Sequence, residues 1–392
     1  MKFILTLLCL LSLSCSSNKA EGIWKLDFIL HNQKLPIALK ITPEGKNVSA
    51  ILYNGEEEIE LEGELKDDQL VLHFSQSYAK LSGQIKNGVF QGHWIRTNKD
   101  DFKIPFTGKK IAEVKFLDEK KDEKPDYKFS GEWKIQLSED RFGLGVFKQQ
   151  GNYIKGSILT ETGDYRYLYG YIDGQNAHLY GLDGVFSFVI KINLEEKAFT
   201  AQMYSGTSEP KVISGTRDSE FKLADPANMT VTTTTQNLPY QGKSISGENI
   251  DFKAMPEKLK IVQIFGSWCP NCIDETRFFL NWKKENPKLD EKIQFVAVAF
   301  ERVETKKQAL KNLIKLQKRL SIDYPIVLAD YNNSVKVEDI FPIDKNRAFP
   351  TTLFVNKENK IVKIHTGFAG QATAEYFDDF KKEFQETIES ML

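Results

Sequence analysis

Two cysteines separated by two residues, at the junction of an apolar segment and a helical one, constrain the fold of this chain more than any other feature. The segment 261–265 is short, apolar and rich in β-branched residues, which is typical of a buried strand. Cys269 and Cys272 follow after a tight turn, and residues 273–280 have helical character. The pattern predicts a strand, a turn and a helix, with both sulfurs at the helix amino terminus. Unpaired amide groups and the helix dipole stabilise a thiolate there.

The two sulfurs have different predicted roles. Cys269 lies nearer the turn and is expected to be the exposed, attacking thiolate, whereas Cys272 is expected to be more buried and to resolve a mixed disulfide. The same spacing also occurs in half of a structural zinc site, which needs two further ligands at comparable spacing. The sequence has no second pair of this kind and His365 stands alone, so we expect a redox disulfide and no metal.

The segments that follow alternate between strand and helix patterns, as in an α/β fold. The predicted elements are a strand over 292–300, a helix over 304–320, a short strand over 325–328, a strand entered from a proline over 348–356, its hairpin partner over 360–365 and a last helix over 374–388.

Residues 237–392 resemble a thioredoxin fold of the TlpA-like type, the membrane-anchored extracytoplasmic thiol–disulfide oxidoreductases that include ResA-type proteins. The segments 265–272 and 349–356 carry this resemblance. It implies that Pro350 is cis beside the disulfide, that the backbone of Phe349 pairs with the substrate chain and that Trp268 shields the sulfurs. It also implies protein thiols or disulfides as partners, an upstream membrane reductant and no cofactor.

The sequence near the cysteines has three notable departures, at Gln263, at Glu275 and at Asn271, which stands where thioredoxin has Pro. Gln263 stands where thioredoxins have a buried acid, six residues before the first cysteine. Glu275 matches an acidic residue that ResA-like members hold near the active site, and we expect it to tune thiol protonation. The alternative is a first-turn glutamate favoured by the helix dipole.

The residues between the cysteines bear on the direction of electron flow. Pro270 and Asn271 resemble the corresponding pair in DsbA, a strong oxidant, so a disulfide-forming oxidant is one alternative. The helix over 304–320 is too short to be the DsbA insertion, and the rest of the region is TlpA-like. A reductase of protein disulfides is therefore the favoured function. A peroxidase is a weaker alternative, because it requires a lone peroxidatic cysteine.

The first half of the chain is β-rich and repeats. The segments 22–25, 48–52 and 61–63 recur near 131–134, 154–159 and 168–170, at offsets of about 107 to 109 residues. Each copy is predicted to be a unit of short antiparallel strands. The fold class is therefore multidomain: an all-β region of two similar antiparallel repeats, followed by an α/β thioredoxin fold.

The predicted boundaries follow from these patterns and from composition. They are a lipoprotein signal peptide over 1–14, the first β-rich repeat over 15–112, the second over 129–217, a linker over 218–236 and the thioredoxin-like domain over 237–392.

The β-rich half has no catalytic constellation, so we interpret it as a binding or positioning module. Its Gly-x-Trp starts, at Trp24 and Trp133, resemble those of lipocalin-type barrels, although a tripeptide of this kind more often marks a core Trp. Tyrosines at alternate positions predict one aromatic strand face, either half-buried or adhesive to a partner; these are Tyr165, Tyr167, Tyr169 and Tyr171. A binding lipoprotein in which this half carries the main role is the alternative function.

The amino terminus is predicted to be a targeting segment. Lys2 and the apolar run 3–13 are typical of a signal peptide. The length of the run is about half the roughly 20 residues that a membrane span needs. Cys15 follows at once and resembles the lipidated cysteine of bacterial lipoproteins; an ordinary secretory signal is the alternative. We expect lipid anchoring at the periplasmic side of the cell envelope. The formal charge of −1 gives no electrostatic case for a nucleic acid partner.

Overall fold

The computed structural model describes residues 19–74, 77–114, 127–255 and 257–392. Cys15 and the predicted signal peptide lie outside the described residues, as does most of the charged segment between the two repeats. The described chain forms two antiparallel β-units followed by an α/β unit, which confirms the predicted fold class.

The first β-unit is a closed barrel of eight antiparallel strands. Along its first strand every second side chain from Trp24 to Leu30 is buried, so the strand alternates between an inner and an outer face. The first strand pairs with the second and with the eighth, which closes the barrel and leaves no free edge. The strands are β1 (Gly22–Leu30), β2 (Gln33–Glu44), β3 (Asn47–Asn54), β4 (Glu57–Lys66), β5 (Gln69–Phe74), β6 (Ala79–Lys86), β7 (Val89–Arg96) and β8 (Lys103–Ile111).

The second β-unit closes in the same way, with one short additional strand. The strands are β9 (Gly131–Ser138), β10 (Arg141–Gln150), β11 (Tyr153–Thr160), β12 (Gly163–Asp164), β13 (Leu168–Asp173), β14 (Asn176–Leu182), β15 (Ser187–Leu194), β16 (Ala198–Ser205) and β17 (Ser208–Thr216). β9 pairs with β10 and β17, and β10 pairs with β11, so all strands except β12 form a ring.

The two units repeat each other in detail at their first strands. The indole N–H of Trp24 donates to the carbonyl of Ala20 at 2.9 Å, and that of Trp133 donates to the carbonyl of Phe129 at 2.9 Å. Both indoles are buried. In the first barrel the Trp24 ring packs against Phe90 at 6.0 Å between centroids. The interiors are therefore filled by side chains, as is usual for barrels of this size.

The four tyrosines do not share one strand face, so that prediction is wrong. β13 begins at Leu168, and Tyr165 and Tyr167 lie before it. Tyr169 is buried against the first barrel, where its hydroxyl donates to the carbonyl of Pro36 at 2.7 Å. The aromatic surface of this strand is thus covered within the same chain, by the other barrel.

The α/β unit is built on a five-stranded mixed sheet in the order β22-β21-β20-β23-β24. β20 is buried along its whole length and pairs parallel with β21 and antiparallel with β23. The strands and helices predicted from 261 onwards are all present. The elements are α1 (Pro226–Met229), β18 (Gln241–Lys243), β19 (Asn249–Asp251), β20 (Leu259–Phe265), α2 (Pro270–Glu285), α3 (Pro287–Asp290), β21 (Ile293–Phe300), α4 (Lys306–Leu320), β22 (Ile326–Asp330), β23 (Thr351–Val355), β24 (Ile361–Thr366) and α5 (Glu375–Met391).

Part of the segment between the second barrel and this sheet lies against the α/β unit. The backbone N–H of Thr233 donates to the carbonyl of Pro342 at 2.8 Å, and Val231 and Asp344 exchange hydrogen bonds. In the part of the chain that the structure describes, no helix is long and apolar enough to cross a membrane.

Candidate redox site

The turn between β20 and α2 places both cysteines at the start of a helix. Cys269 is the N-cap of α2, and the N–H of Cys272 points at its sulfur at 3.3 Å. The two sulfurs are joined in a disulfide, with 5.3 Å between the Cα atoms. Cys269 is 5% exposed and Cys272 is fully buried, so only the first sulfur has a path to another molecule.

A proline loop lies directly against the outer sulfur. The Phe349–Pro350 peptide bond is cis, as the resemblance implies. The carbonyl oxygen of Phe349 is 3.5 Å from the Sγ of Cys269. An extended chain that pairs with the Phe349 backbone would therefore bring its own atoms close to this sulfur.

The side chain of Trp268, directly before Cys269, packs against an aromatic ring and a cation. The Trp268 ring meets the Phe349 ring edge-on at 5.4 Å between centroids, and its indole N–H donates to the carbonyl of Phe300 at 2.9 Å. The guanidinium carbon of Arg302 lies 3.5 Å from the centroid of the Trp268 ring. Arg302 was not identified from the sequence, because nothing in its local pattern separates it from other surface arginines.

Glu275 is fully buried in the second turn of α2 and not in the first, so the helix-dipole interpretation is wrong. Its carboxylate accepts hydrogen bonds from the side chains of Gln263 and Thr352, each at 2.9 Å. The amide nitrogen of Gln263 also donates to the carbonyl of Cys272 at 3.1 Å. α2 thus supplies a buried acid near the cysteines, and Gln263 links this acid to Cys272 by hydrogen bonds.

Burial raises the pKa of Glu275 from 4.5 to about 8, although its hydrogen bonds act in the opposite direction. Between about pH 5 and 8 the folded protein therefore keeps a proton that the unfolded chain has already released. We expect stability to fall with rising pH in this window, by about 1.4 kcal/mol per pH unit from this group. In Glu275→Gln this slope should be absent. Urea unfolding of the oxidised protein from pH 5 to 9 measures both slopes, and equal slopes would contradict the assignment.

The first barrel reaches the loop that precedes Cys269. The buried carboxylate of Glu301 accepts hydrogen bonds from the N–H and the hydroxyl of Ser267, each at 2.7 Å. The hydroxyl of Tyr78, which lies directly before β6, donates to the same carboxylate at 2.6 Å. This contact could not be predicted from the sequence, since 223 residues separate the two partners.

The second barrel reaches the helix that follows the cysteines. The guanidinium of Arg166, which is buried, donates to the carboxylate of Asp274 at 3.0 and 3.2 Å. It also binds Asp183 of its own barrel at 3.4 Å and Glu57 of the first barrel. Burial raises the pKa of Glu57 to about 7, and the arginine opposes that effect. One cation thus joins all three units beside the active helix.

The same loop of the second barrel covers the residue between the cysteines. The side-chain amide of Asn271 lies 3.4 Å from the carbonyl of Asp164 and donates to it. A Cβ on Gly163 would stand 2.6 Å from that amide, and Gly163 has a φ of +134°, so a side chain is excluded there on two grounds. Asp164 also accepts the N–H of Gly370 at 2.6 Å. This side of the disulfide is closed by the barrel.

Comparisons with known proteins agree with this geometry. The redoxin family model matches residues 226–379. The thiol–disulfide oxidoreductase ResA of Bacillus subtilis is 27% identical over 122 residues, which are 31% of this chain and 60% of ResA. The ResA of Halalkalibacterium halodurans is 24% identical over 144 residues, 36% of this chain and 72% of that protein.

Among solved structures, StoA from Bacillus subtilis is 22% identical, with a TM-score of 0.27, and the match covers 36% of this chain and 95% of StoA. The chain spans about three-fifths of the length of the first ResA. Neither barrel falls within the region that the family model matches. The carboxyl-terminal region of this chain is a redoxin domain with a thioredoxin-like fold, similar to the ResA thiol–disulfide oxidoreductases.

Proposed function

We propose that this protein is a thiol–disulfide oxidoreductase that reduces disulfides in other proteins. The observation that carries the proposal is the Cys269–Cys272 disulfide at the start of α2, with the outer sulfur 3.5 Å from the carbonyl of Phe349 before a cis proline. A helix amino terminus favours the thiolate of its N-cap cysteine, which is the form that attacks a disulfide.

The proposed reaction has two exchange steps. In the reduced protein, the Cys269 thiolate attacks one sulfur of the substrate disulfide, and a mixed disulfide forms while the other substrate sulfur leaves as a thiolate. Cys272 then loses its proton and attacks the Cys269 sulfur, which releases the second substrate thiolate. Two electrons pass to the substrate, whose thiolates take up two protons, and the protein is left with its own disulfide.

The surrounding residues have proposed roles in these steps. The backbone of Phe349 pairs with the substrate chain, Pro350 holds that backbone against the sulfur, and Trp268 shields the sulfur from water. Glu275 tunes the protonation of the buried Cys272 thiol, to which Gln263 connects it. These roles rest on the contacts around the disulfide and on the resemblance in sequence.

The direction of electron flow is tested by the reduction potential. A reductase requires a potential well below that of the oxidant DsbA, which is about −120 mV. The full chain should therefore reduce insulin when dithiothreitol recycles it, and its disulfide should equilibrate with dithiol buffers in the range of thioredoxin, about −270 mV. A potential near that of DsbA would contradict the reductase and favour the oxidant.

We further propose that the protein works at the periplasmic side of the cell envelope, anchored by lipid on Cys15 and recycled by a membrane reductant. The apolar run 3–13 and the cysteine that follows it support this location. Cells fed a tagged fatty acid should label the protein, and Cys15→Ser should remove both the label and the membrane association. A Cys15→Ser variant that still carried the label would contradict the anchor.

A further inference from the structure

One hydroxyl group of the first barrel takes part in the hydrogen bonds that hold the catalytic loop, residues 266–268 directly before Cys269. The Tyr78 oxygen donates to Glu301 at 2.6 Å and accepts a hydrogen bond from the side-chain amide of Asn312 on α4 at 2.7 Å. It is also 3.2 Å from the hydroxyl of Ser267. Both hydrogen-bonding capacities of the phenol are used, so its position is fixed from the barrel and from the redoxin domain together.

Glu301 is the group on which these contacts converge. Its two oxygens accept the N–H of Ser267, the hydroxyl of Ser267 and the hydroxyl of Tyr78, all within 2.7 Å. Backbone N–H and hydroxyl donors of this kind stabilise negative charge on a carboxylate. The proposed exchange reaction makes no use of this buried charge.

Glu301 binds the loop that leads directly to Cys269. Ser267 is two residues before Cys269, and the N–H of Cys269 donates to the carbonyl of Gly266 at 3.1 Å, so the loop is short and tightly held. A negative charge near a sulfur disfavours its thiolate form. Each donor on Glu301 spreads that charge and reduces the effect, and the Tyr78 hydroxyl is the donor that comes from outside the redoxin domain.

We propose that Tyr78 is a positioning residue for the proposed disulfide exchange, which through Glu301 and Ser267 holds the catalytic loop and favours the thiolate form of Cys269. The inference rests on the proposed function. It gives the first barrel a defined part in the chemistry of a site that lies in another unit of the chain.

Tyr78→Phe tests the proposal because it removes the hydroxyl and keeps the ring. In the reduced variant at pH 7, alkylation of Cys269 should be about three- to tenfold slower, the size of one typical net hydrogen bond. The midpoint of its pH dependence should rise. The equilibrium with dithiothreitol should shift by a similar factor towards the protein disulfide, since the reduced form has lost stabilisation.

Tyr376→Phe is the matched control. The Tyr376 hydroxyl also joins the redoxin domain to a barrel through a glutamate, donating to Glu132 at 2.7 Å, but it touches neither the 266–268 loop nor the cysteines. Its alkylation rate and its thiol–disulfide equilibrium should equal those of the unaltered protein. Equal values for Tyr78→Phe and Tyr376→Phe would overturn the proposal.

Glu301→Gln separates an electrostatic role from a merely structural one. Removing the negative charge should make Cys269 more acidic and its alkylation faster, opposite to Tyr78→Phe, and Tyr78→Phe should then add no further change. If both variants slowed alkylation alike, loss of loop structure would explain them and the proposal would fail. The readouts are an alkylation rate and an equilibrium with dithiothreitol, so a failure here is distinguishable from a failure of the proposed function, which the insulin assay and the reduction potential test.

Discussion

Alanine in place of Cys269 is expected to abolish reduction of insulin disulfides by the full chain, a loss of about 10³-fold or more. The reason is the difference in exposure between the two sulfurs. Cys272 is fully buried and lies inside the helix, so it cannot replace Cys269 as the attacking group. Insulin turbidity in the presence of dithiothreitol measures the loss, with the uncatalysed rate as the baseline.

Cys272→Ala is the matched control for this experiment, because it keeps the attacking thiol and removes the resolving one. It should form mixed disulfides with substrate that persist on non-reducing gels, while Cys269→Ala should form none. Activity in Cys269→Ala would refute the assignment of the nucleophile, and with it the proposed function.

Arg166→Ala is expected to give the largest loss of stability of any single charge removal at the domain contacts, about 3 to 5 kcal/mol. The substitution leaves the buried carboxylates of Glu57 and Asp183 without the cation that they share, and leaves Asp274, which is 21% exposed, paired with Arg277. Protonation of the carboxylates relieves their repulsion, so the loss should be greater at pH 8 than at pH 5. Urea unfolding at the two pH values measures both effects.

Arg347→Ala provides the comparison. Arg347 also pairs with an aspartate, Asp344, at 2.7 Å, but the two side chains are 35% and 30% exposed. Removing an exposed ion pair of this kind should cost less than about 1 kcal/mol. A similar small change in Arg166→Ala would mean that the buried cluster does not stabilise the contact between the barrels and α2.

The redoxin domain could be predicted from the sequence because its signals are local. A buried strand is followed after one tight turn by Cys269, and Pro350 leads directly into the next strand, so in each motif the structural element and the reactive residues are adjacent in sequence. The alternation of buried residues along β1 likewise shows a half-buried strand. Patterns of this kind extend over a few residues and need no knowledge of distant parts of the chain.

The contributions of the barrels could not be predicted, because they depend on how the units pack. Tyr78 and Arg166 lie outside regular strands, and their partners Glu301 and Asp274 are 223 and 108 residues away. The prediction for the tyrosines failed for a related reason. Alternation from Tyr165 to Tyr171 is typical of a strand, but the chain enters β13 only at Leu168, after a turn in which Arg166 has a φ of +57°.

The closure of one side of the disulfide has a consequence for the order of events in turnover. The loop at Asp164 covers Asn271, and Cys272 is fully buried, so a second protein can reach the pair only at Cys269, past Trp268 and Phe349. The electron donor and the electron acceptor must then use the same entrance. They cannot occupy it together, so each must leave before the other arrives. Steady-state kinetics in which the concentrations of donor and acceptor are both varied should therefore give the parallel double-reciprocal lines of a ping-pong enzyme.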